Sequence, residues 1–275
     1  MKIAQFYHKN LVRLGIIEDY NLIPLDFQGE MIDFIINSHI LRSSDIPIPL
    51  NMVQFAPAVS SPSKIIGIGL NYLDHIRESK GEIPEVPMVF AKFPNSLLAH
   101  HENITWDKHL TSKVDFEAEL AVIMGKTVYN CQEDEAINSV FGYTCANDVS
   151  ARDLQFGDGQ WVRGKSLDTF CPLGPWIVTS DEIPDPHSLE IKCSLNGKAM
   201  QDSNTGRMIF KVPQLISFLS KNFTLIPGDV ILTGTPHGVG VFRNPSVYMS
   251  DGDEVVVEIE GIGELANICR NSVHP

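Results

Sequence analysis

Short runs of β-branched and apolar residues, bounded by turn-forming clusters, predict a chain dominated by strands. The first segment reads as a β-meander over Lys2 to Tyr7, Leu11 to Ile17 and Leu22 to Leu25, followed by a helix from Gly29 to Ser38. Residues 45 to 63 then bring Pro47, Pro49, Pro57 and Pro62 among several serines, a composition that cannot sustain a helix. A boundary near residue 58 is expected there, with a small N-terminal domain over 1–57 and a larger catalytic domain over 58–275. Further strands are predicted over Ile65 to Leu70, Met88 to Lys92, Phe116 to Met124, Leu173 to Thr179, Leu189 to Leu195, Val230 to Thr233 and Glu254 to Ile259. Helices are fewer: Tyr72 to Ser79, Gln132 to Ser139, Ser150 to Gln155 and Lys211 to Ser220. Strand and helix do not alternate regularly, which argues against a doubly wound parallel sheet and for an α+β chain that is mainly β. Asn196-Gly197 is the strongest short hairpin signal.

Composition narrows the function classes. Lys and Arg total 21 against 34 Asp and Glu, a formal charge of −13, which repels phosphate backbones and anionic bilayers and excludes nucleic acid as an expected partner. A few local cations can still attract a small anionic substrate at short range. No apolar stretch approaches the roughly 20 residues that span a bilayer, and polar residues interrupt the N-terminus before signal-peptide length. A cytoplasmic protein without membrane contact is expected. The five cysteines are scattered, odd in number and without a Cys-x-x-Cys pair, so buried free thiols are expected. Gly67-Ile68-Gly69 invites a dinucleotide reading, but Tyr72 stands where the fingerprint needs a third glycine.

The chemistry is concentrated around Phe116-Glu117-Ala118-Glu119-Leu120-Ala121-Val122-Ile123. Period-two geometry puts Glu117 and Glu119 on one face with Ala121 and Ile123, and both faces of the strand's second half are apolar, as in an interior strand. Two such carboxylates must protonate, pair with cations or share a hard cation with a third oxygen ligand; a solvated edge face is the bland alternative. Asp148 is the candidate third ligand. A helix beginning there would place Arg152 and Gln155 on the same face as Asp148.

Five ordered segments carry a resemblance: Asn71-Tyr72-Leu73-Asp74-His75, Phe116-Glu117-Ala118-Glu119-Leu120, Asn147-Asp148-Val149-Ser150-Ala151-Arg152-Asp153, Gly164-Lys165-Ser166-Leu167-Asp168, and Thr233-Gly234-Thr235-Pro236 with Gly238-Val239-Gly240. Over roughly residues 64 to 270 the chain resembles the fumarylacetoacetate hydrolase family in its shorter, FAH-domain-containing form. The resemblance implies a mixed β-sandwich or β-roll with peripheral helices, and a homodimer. It implies Glu117, Glu119 and Asp148 as metal ligands, usually for Mg²⁺, with Mn²⁺ or Ca²⁺ as alternatives; a hard-oxygen donor set agrees. It implies Lys165 as a donor to a developing enolate, and His75 with Glu78, on a lid that orders over substrate, as the pair that activates water. Arg152, Gln155 and Thr235 would bind the substrate's carboxylate or distal oxygens.

Family members of the full-length type carry a larger N-terminal domain, whereas this chain has only about 57 residues before the core. The resemblance therefore implies a substrate among acylpyruvates, oxaloacetate and related small oxo acids. Possession of both His75 and Glu78 leans towards hydrolytic C–C cleavage of a 2,4-dioxo acid through a metal-stabilised enolate. Decarboxylation or keto–enol tautomerisation of oxaloacetate on the same site is the alternative, and a binding protein that retains the fold without turnover is a third reading.

Overall fold

The computed structural model describes residues 1–37 and 46–271. The end of the expected N-terminal helix, Ser38, and the start of the proline-rich stretch, Asp45, lie outside these residues. The architecture is mainly β, as expected: a large mixed sheet faces a five-stranded sheet. Across the large sheet the order runs Ile48–Pro49, Asn21–Pro24, Leu11–Glu18, Lys2–His8, Cys171–Thr179, Val140–Asn147, Ala118–Met124, Val230–Leu232, Ile65–Gly69 and Met88–Lys92. The smaller sheet is ordered Lys198–Asn204, Glu190–Leu195, Glu254–Ile259, Gly263–Asn271 and Asn103–Trp106. Lys2–His8 pairs antiparallel with Cys171–Thr179, so the large sheet runs continuously across the boundary expected at residue 58.

Ala118–Met124 is the interior strand that the two-sided apolar pattern predicts, bonded on one side to Val140–Asn147 and on the other to Val230–Leu232. Its alternation feeds two cores. Phe116, Ala118, Leu120, Val122 and Met124 pack towards the smaller sheet, against Ile191, Cys193, Val255 and Val257. Ala121 and Ile123 pack on the opposite face, with Met31, Phe34 and Ile35 of the helix Met31–Asn37. Burial of a side chain of this size contributes about 1.5–3 kcal/mol, so a register slip, which would exchange the two faces, is strongly disfavoured.

The Asn196-Gly197 turn closes the hairpin between Glu190–Leu195 and Lys198–Asn204, and both turn residues have positive φ (52° and 73°), the conformation of a two-residue turn matched to strand twist. All five cysteines are free and buried. Among the described residues no helix is long and apolar enough to cross a membrane.

Two expectations change. Val140–Asn147 is an eight-residue strand absent from the predicted elements. Asp148 then stands outside any helix: Ser150–Ala151 pairs with Val114–Asp115, and the helix begins only at Arg152, running Arg152–Gly157. The hydrogen bond from the Asp148 amide to the Glu117 carbonyl (2.9 Å) keeps the chain extended past the strand end.

Candidate metal centre and cleft

Antiparallel pairing explains why distant acids meet. Ala118 opposes Asn147, so the beginning of one strand lies beside the end of the other, and Glu117, Glu119 and Asp148 collect at a common edge. One carboxylate oxygen from each can be chosen so that all three lie within 4.8 Å of one another, and all three residues are buried. The Glu117 amide donates to Asn147 Oδ1 (3.0 Å), fixing the chain where the ladder ends. On the other side Val230–Leu232 runs parallel to Ile65–Gly69, which brings the turn at Thr233–Thr235 and the segment Leu70–Asn71 to the same edge.

Three buried cations answer the acids. Lys165 Nζ donates to Glu117 Oε2 (2.8 Å), Asp148 Oδ2 (2.5 Å) and Ser150 Oγ (2.8 Å). Arg152 Nε donates to Asp115 Oδ2 (2.8 Å), its Nη1 to Gln155 Oε1 (2.9 Å), and its Nη2 forms an ion pair with Glu117 Oε1 at 2.6 Å. Lys92 Nζ donates to Asp148 Oδ1 (2.6 Å) and to the carbonyl of Lys165. With Asp115, four buried carboxylates face three cations, leaving one negative charge in excess.

That excess falls on Glu119, which among the described residues accepts a single hydrogen bond, from the Gly234 amide (2.7 Å). Burial, then the neighbouring Asp148 and Glu117 carboxylates, push its pKa well above the usual range. Burial also opposes ionisation of Glu117, but Lys165 and Arg152 beside it hold its carboxyl well below that range. For Lys165, burial disfavours the charged form, and Asp148 and Glu117 outweigh it to raise the pKa. A doubly charged cation would relieve the repulsion on Glu119, and three carboxylates without His or Cys suit a hard ion, so the triad fits a divalent metal.

Above the triad opens a cleft with about 460 Å³ of empty space including its mouth, lined by His75, Glu117, Glu119, Arg152, Gln155, Lys165 and Thr235 together with apolar side chains. Of the two remaining residues singled out from sequence, Asp148 lies buried against Lys165, and Glu78 stands behind His75. All nine therefore form one cluster.

Lys165 ends the short helix Val162–Lys165, which packs so closely on Arg152–Gly157 that a Cβ on Gly164 would sit 2.6 Å from the Gln155 amide nitrogen. His75 and Glu78 share the helix Leu73–Ser79, with Nδ1 3.3 Å from Oε2. Three contacts dock this helix on the loop after Thr235: the Gly238 amide donates to Glu78 Oε1 (2.9 Å), His237 Nδ1 lies 3.1 Å from Asp74 Oδ2, and the Phe242 ring packs on His75 at 5.7 Å. Thr235 Oγ1 accepts from Gln201 Nε2 (2.8 Å).

Three supporting residues escape sequence reasoning. Lys92 reads as the polar end of a strand, and Gln201 as a residue beyond a hairpin. Asp115 reads as a polar residue ahead of the acidic pair, yet it accepts from Arg152 and from the amides of Gly240 (2.7 Å) and Val241 (3.0 Å). Each acts across 34 or more residues, and the one available signal is an ionisable or amide side chain beside a motif.

A mixed β-sandwich with a carboxylate triad at the ends of two interior strands has a donor set that fits a hard metal ion without histidine or cysteine. Residues 64–270 match the family described as fumarylacetoacetate (FAA) hydrolase, C-terminal. The chain belongs to the fumarylacetoacetate hydrolase family. It is 46% identical over 228 residues to oxaloacetate tautomerase FAHD2A, mitochondrial, of Bos taurus, covering 82% of this chain and 72% of the bovine protein. Among solved structures it is similar to a fumarylacetoacetate hydrolase from Exiguobacterium antarcticum (TM-score 0.89, 36% identity, 99% of this chain and 100% of that one). It is also similar to maleylpyruvate hydrolase from Sphingobium sp. SYK-6 in complex with manganese(II) and pyruvate (TM-score 0.82, 30% identity, 99% and 100%).

Proposed function

We propose that this chain is a divalent-metal-dependent enzyme, with Mg²⁺ or Mn²⁺ at Glu117, Glu119 and Asp148, that interconverts the keto and enol forms of a small 2-oxo acid of the oxaloacetate type. The observation that carries this reading is that one small cleft, lying over the carboxylate triad, presents an oriented imidazole, an ammonium and two of the three carboxylates together. The 46% identity to a protein named for oxaloacetate tautomerisation supports it over the hydrolytic reading favoured from sequence.

Glu117, Glu119 and Asp148 would hold a divalent ion, which would supply Lewis-acid stabilisation of negative charge developing on a bound 2-oxo acid. The chain's own groups do the rest. Glu78 accepts from the Gly238 amide at Oε1 and stands 3.3 Å from His75 Nδ1 at Oε2, a contact that favours the Nδ1–H tautomer, with the lone pair on Nε2. Nε2 is then the base that removes a proton from the carbon beside the keto group, a contribution of typically 10²–10⁴-fold. Lys165, kept cationic by its two carboxylate partners, places positive charge beside the site where negative charge develops on the substrate oxygen. Arg152 and Gln155, locked together, meet the far carboxylate.

The His75–Glu78 contact also favours a second reading, in which the same base activates water against the second carbonyl of an acylpyruvate, releasing pyruvate and a carboxylic acid. Loss of enol-oxaloacetate absorbance above the spontaneous rate, with and without chelator, tests the first reading, and pyruvate release from acetylpyruvate tests the second. Enol decay at the uncatalysed rate in metal-loaded protein would falsify the tautomerase assignment.

A further inference from the structure

The floor of the cleft is charged, but its walls are not. Phe90, Phe156, Trp161 and Phe242 line it, and Phe156 and Phe242 leave 59% and 41% of their surface exposed at its mouth. Aromatic walls around a few convergent polar groups are the usual lining of a small-molecule site. Two of the rings are seated by construction. A Cβ on Gly67 would sit 2.1 Å from Phe90 Cζ, and one on Gly69 would sit 2.4 Å from Trp161 Cζ3, so two glycines in the strand Ile65–Gly69 make room for these side chains. Glycine weakens a strand, at roughly 0.5–1 kcal/mol relative to alanine, so the seating of these rings carries a cost in strand stability. Phe90 and Trp161 then pack edge to face at 5.5 Å, and Lys165 Nζ lies 4.9 Å from the Phe90 centroid, so the aromatic wall begins where the ammonium ends.

The cations that line this cleft, Lys165 and Arg152, are tied to the floor. The walls therefore match a part of the substrate that oxaloacetate lacks. We propose that the cleft also takes 2-oxo acids bearing an aryl or bulky apolar substituent on the carbon next to the keto group, with Trp161 as a specificity-determining residue. The proposal rests on the tautomerase reading and extends its substrate class. The step needs no co-reactant: a proton leaves the substituted carbon, the C–H electron pair becomes the C=C bond of the enol, and the oxygen gains a proton; the reverse balances likewise. An aromatic substituent conjugates with that double bond and fits between rings that prefer edge-to-face or offset contact.

The test compares enol-to-keto conversion of phenylpyruvate and oxaloacetate by the same metal-loaded protein, each corrected for its spontaneous rate. Catalysed conversion of both is expected. Trp161→Ala should lower kcat/KM for phenylpyruvate at least about tenfold more than for oxaloacetate, mainly through KM, as removal of a hydrophobic pocket wall does. Phe156→Ser, a change at an exposed ring, should shift the same ratio in the same direction, and unchanged circular dichroism and Mn²⁺ affinity would show that both variants fold. Oxaloacetate turnover without phenylpyruvate turnover overturns the substrate class and leaves the tautomerase reading standing. Equal losses for both substrates in both variants overturn the role of the wall, and turnover of neither removes the tautomerase reading and this extension with it.

Discussion

Lys92 offers the most direct test of how the acidic edge is held together. Its side chain is fully buried, and Nζ touches Asp148 Oδ1, the Lys165 carbonyl and, at 3.4 Å, the Val149 carbonyl. Replacement by methionine keeps the length of the side chain and its apolar stem but removes the charge and all three donors. Breaking a buried ion pair by removing one partner costs about 3–5 kcal/mol, and a buried acceptor left unpaired costs about 1–3 kcal/mol. Asp148 keeps Lys165, so the lower end applies, and Lys92→Met should destabilise the chelator-treated protein by about 3 kcal/mol. Urea unfolding followed by circular dichroism reads this as a drop in midpoint at unchanged slope. The double variant with Asp148→Asn should be less destabilised than the sum of the two single changes, by a coupling of about 1–3 kcal/mol. A Lys92→Met cost below about 1 kcal/mol, or strict additivity in the cycle, would mean that solvent reaches this pair and that the buried charge balance is wrong.

Other outcomes follow from the same geometry. Glu117→Ala should abolish Mn²⁺ binding measured by calorimetry and all turnover, and full activity in this variant would remove Glu117 from the ligand set. His75→Ala should retain metal while losing about 10²–10⁴-fold in kcat; loss of metal instead would place the imidazole among the ligands. His100 is pushed down to about 3, first by burial and then by the adjacent His101, and its Nδ1 accepts from the Ala266 amide. Its folded pKa lies below the unfolded value, so the unfolded chain binds more protons under pH 6.5, and stability should fall as pH drops from there towards 3, at up to about 1.4 kcal/mol per pH unit. His100→Gln should flatten that part of the stability curve, and parallel curves for variant and wild type would contradict the assignment.

Much of the frame is readable because it is periodic. Met88–Lys92 and Glu254–Ile259 fall on their expected residues, and Ala118–Met124 differs from its expected span only by starting at Ala118. There the Asn147 side chain and the Asp148 amide take over the bonds of Glu117 that a regular ladder would have made. Val140–Asn147 is not legible, since Gly142, Thr144 and Ala146 put a small residue at every second position and deny the run the β-branched and apolar character by which the other strands are read. What makes it a strand is pairing on both sides, with Ala118–Met124 and Cys171–Thr179, which no local window contains.

The site divides along the same line. Glu117, Glu119, Asp148, Arg152, Gln155, Lys165, Thr235, His75 and Glu78 all sit in short ordered motifs, so their convergence could be expected even though the helix invoked to align Asp148 with Arg152 does not exist. Their partners are set by burial instead. A lysine at the end of a strand is ordinarily a solvated charge, and Lys92 becomes an internal one only because Asp148, 56 residues later, has no water to meet. Asp115 in turn joins Arg152 to Gly240, where a Cβ would lie 1.8 Å from the Val247 carbonyl, so the arginine, the glycine loop and the helix of His75 are held by one connected set of hydrogen bonds and contacts. Among the described residues the same network leaves Glu119 without an ion-pair partner. A buried carboxylate beside two other acids is costly unless a cation joins it, and that cost is the physical ground for reading this end of the sheet as a place for a divalent ion.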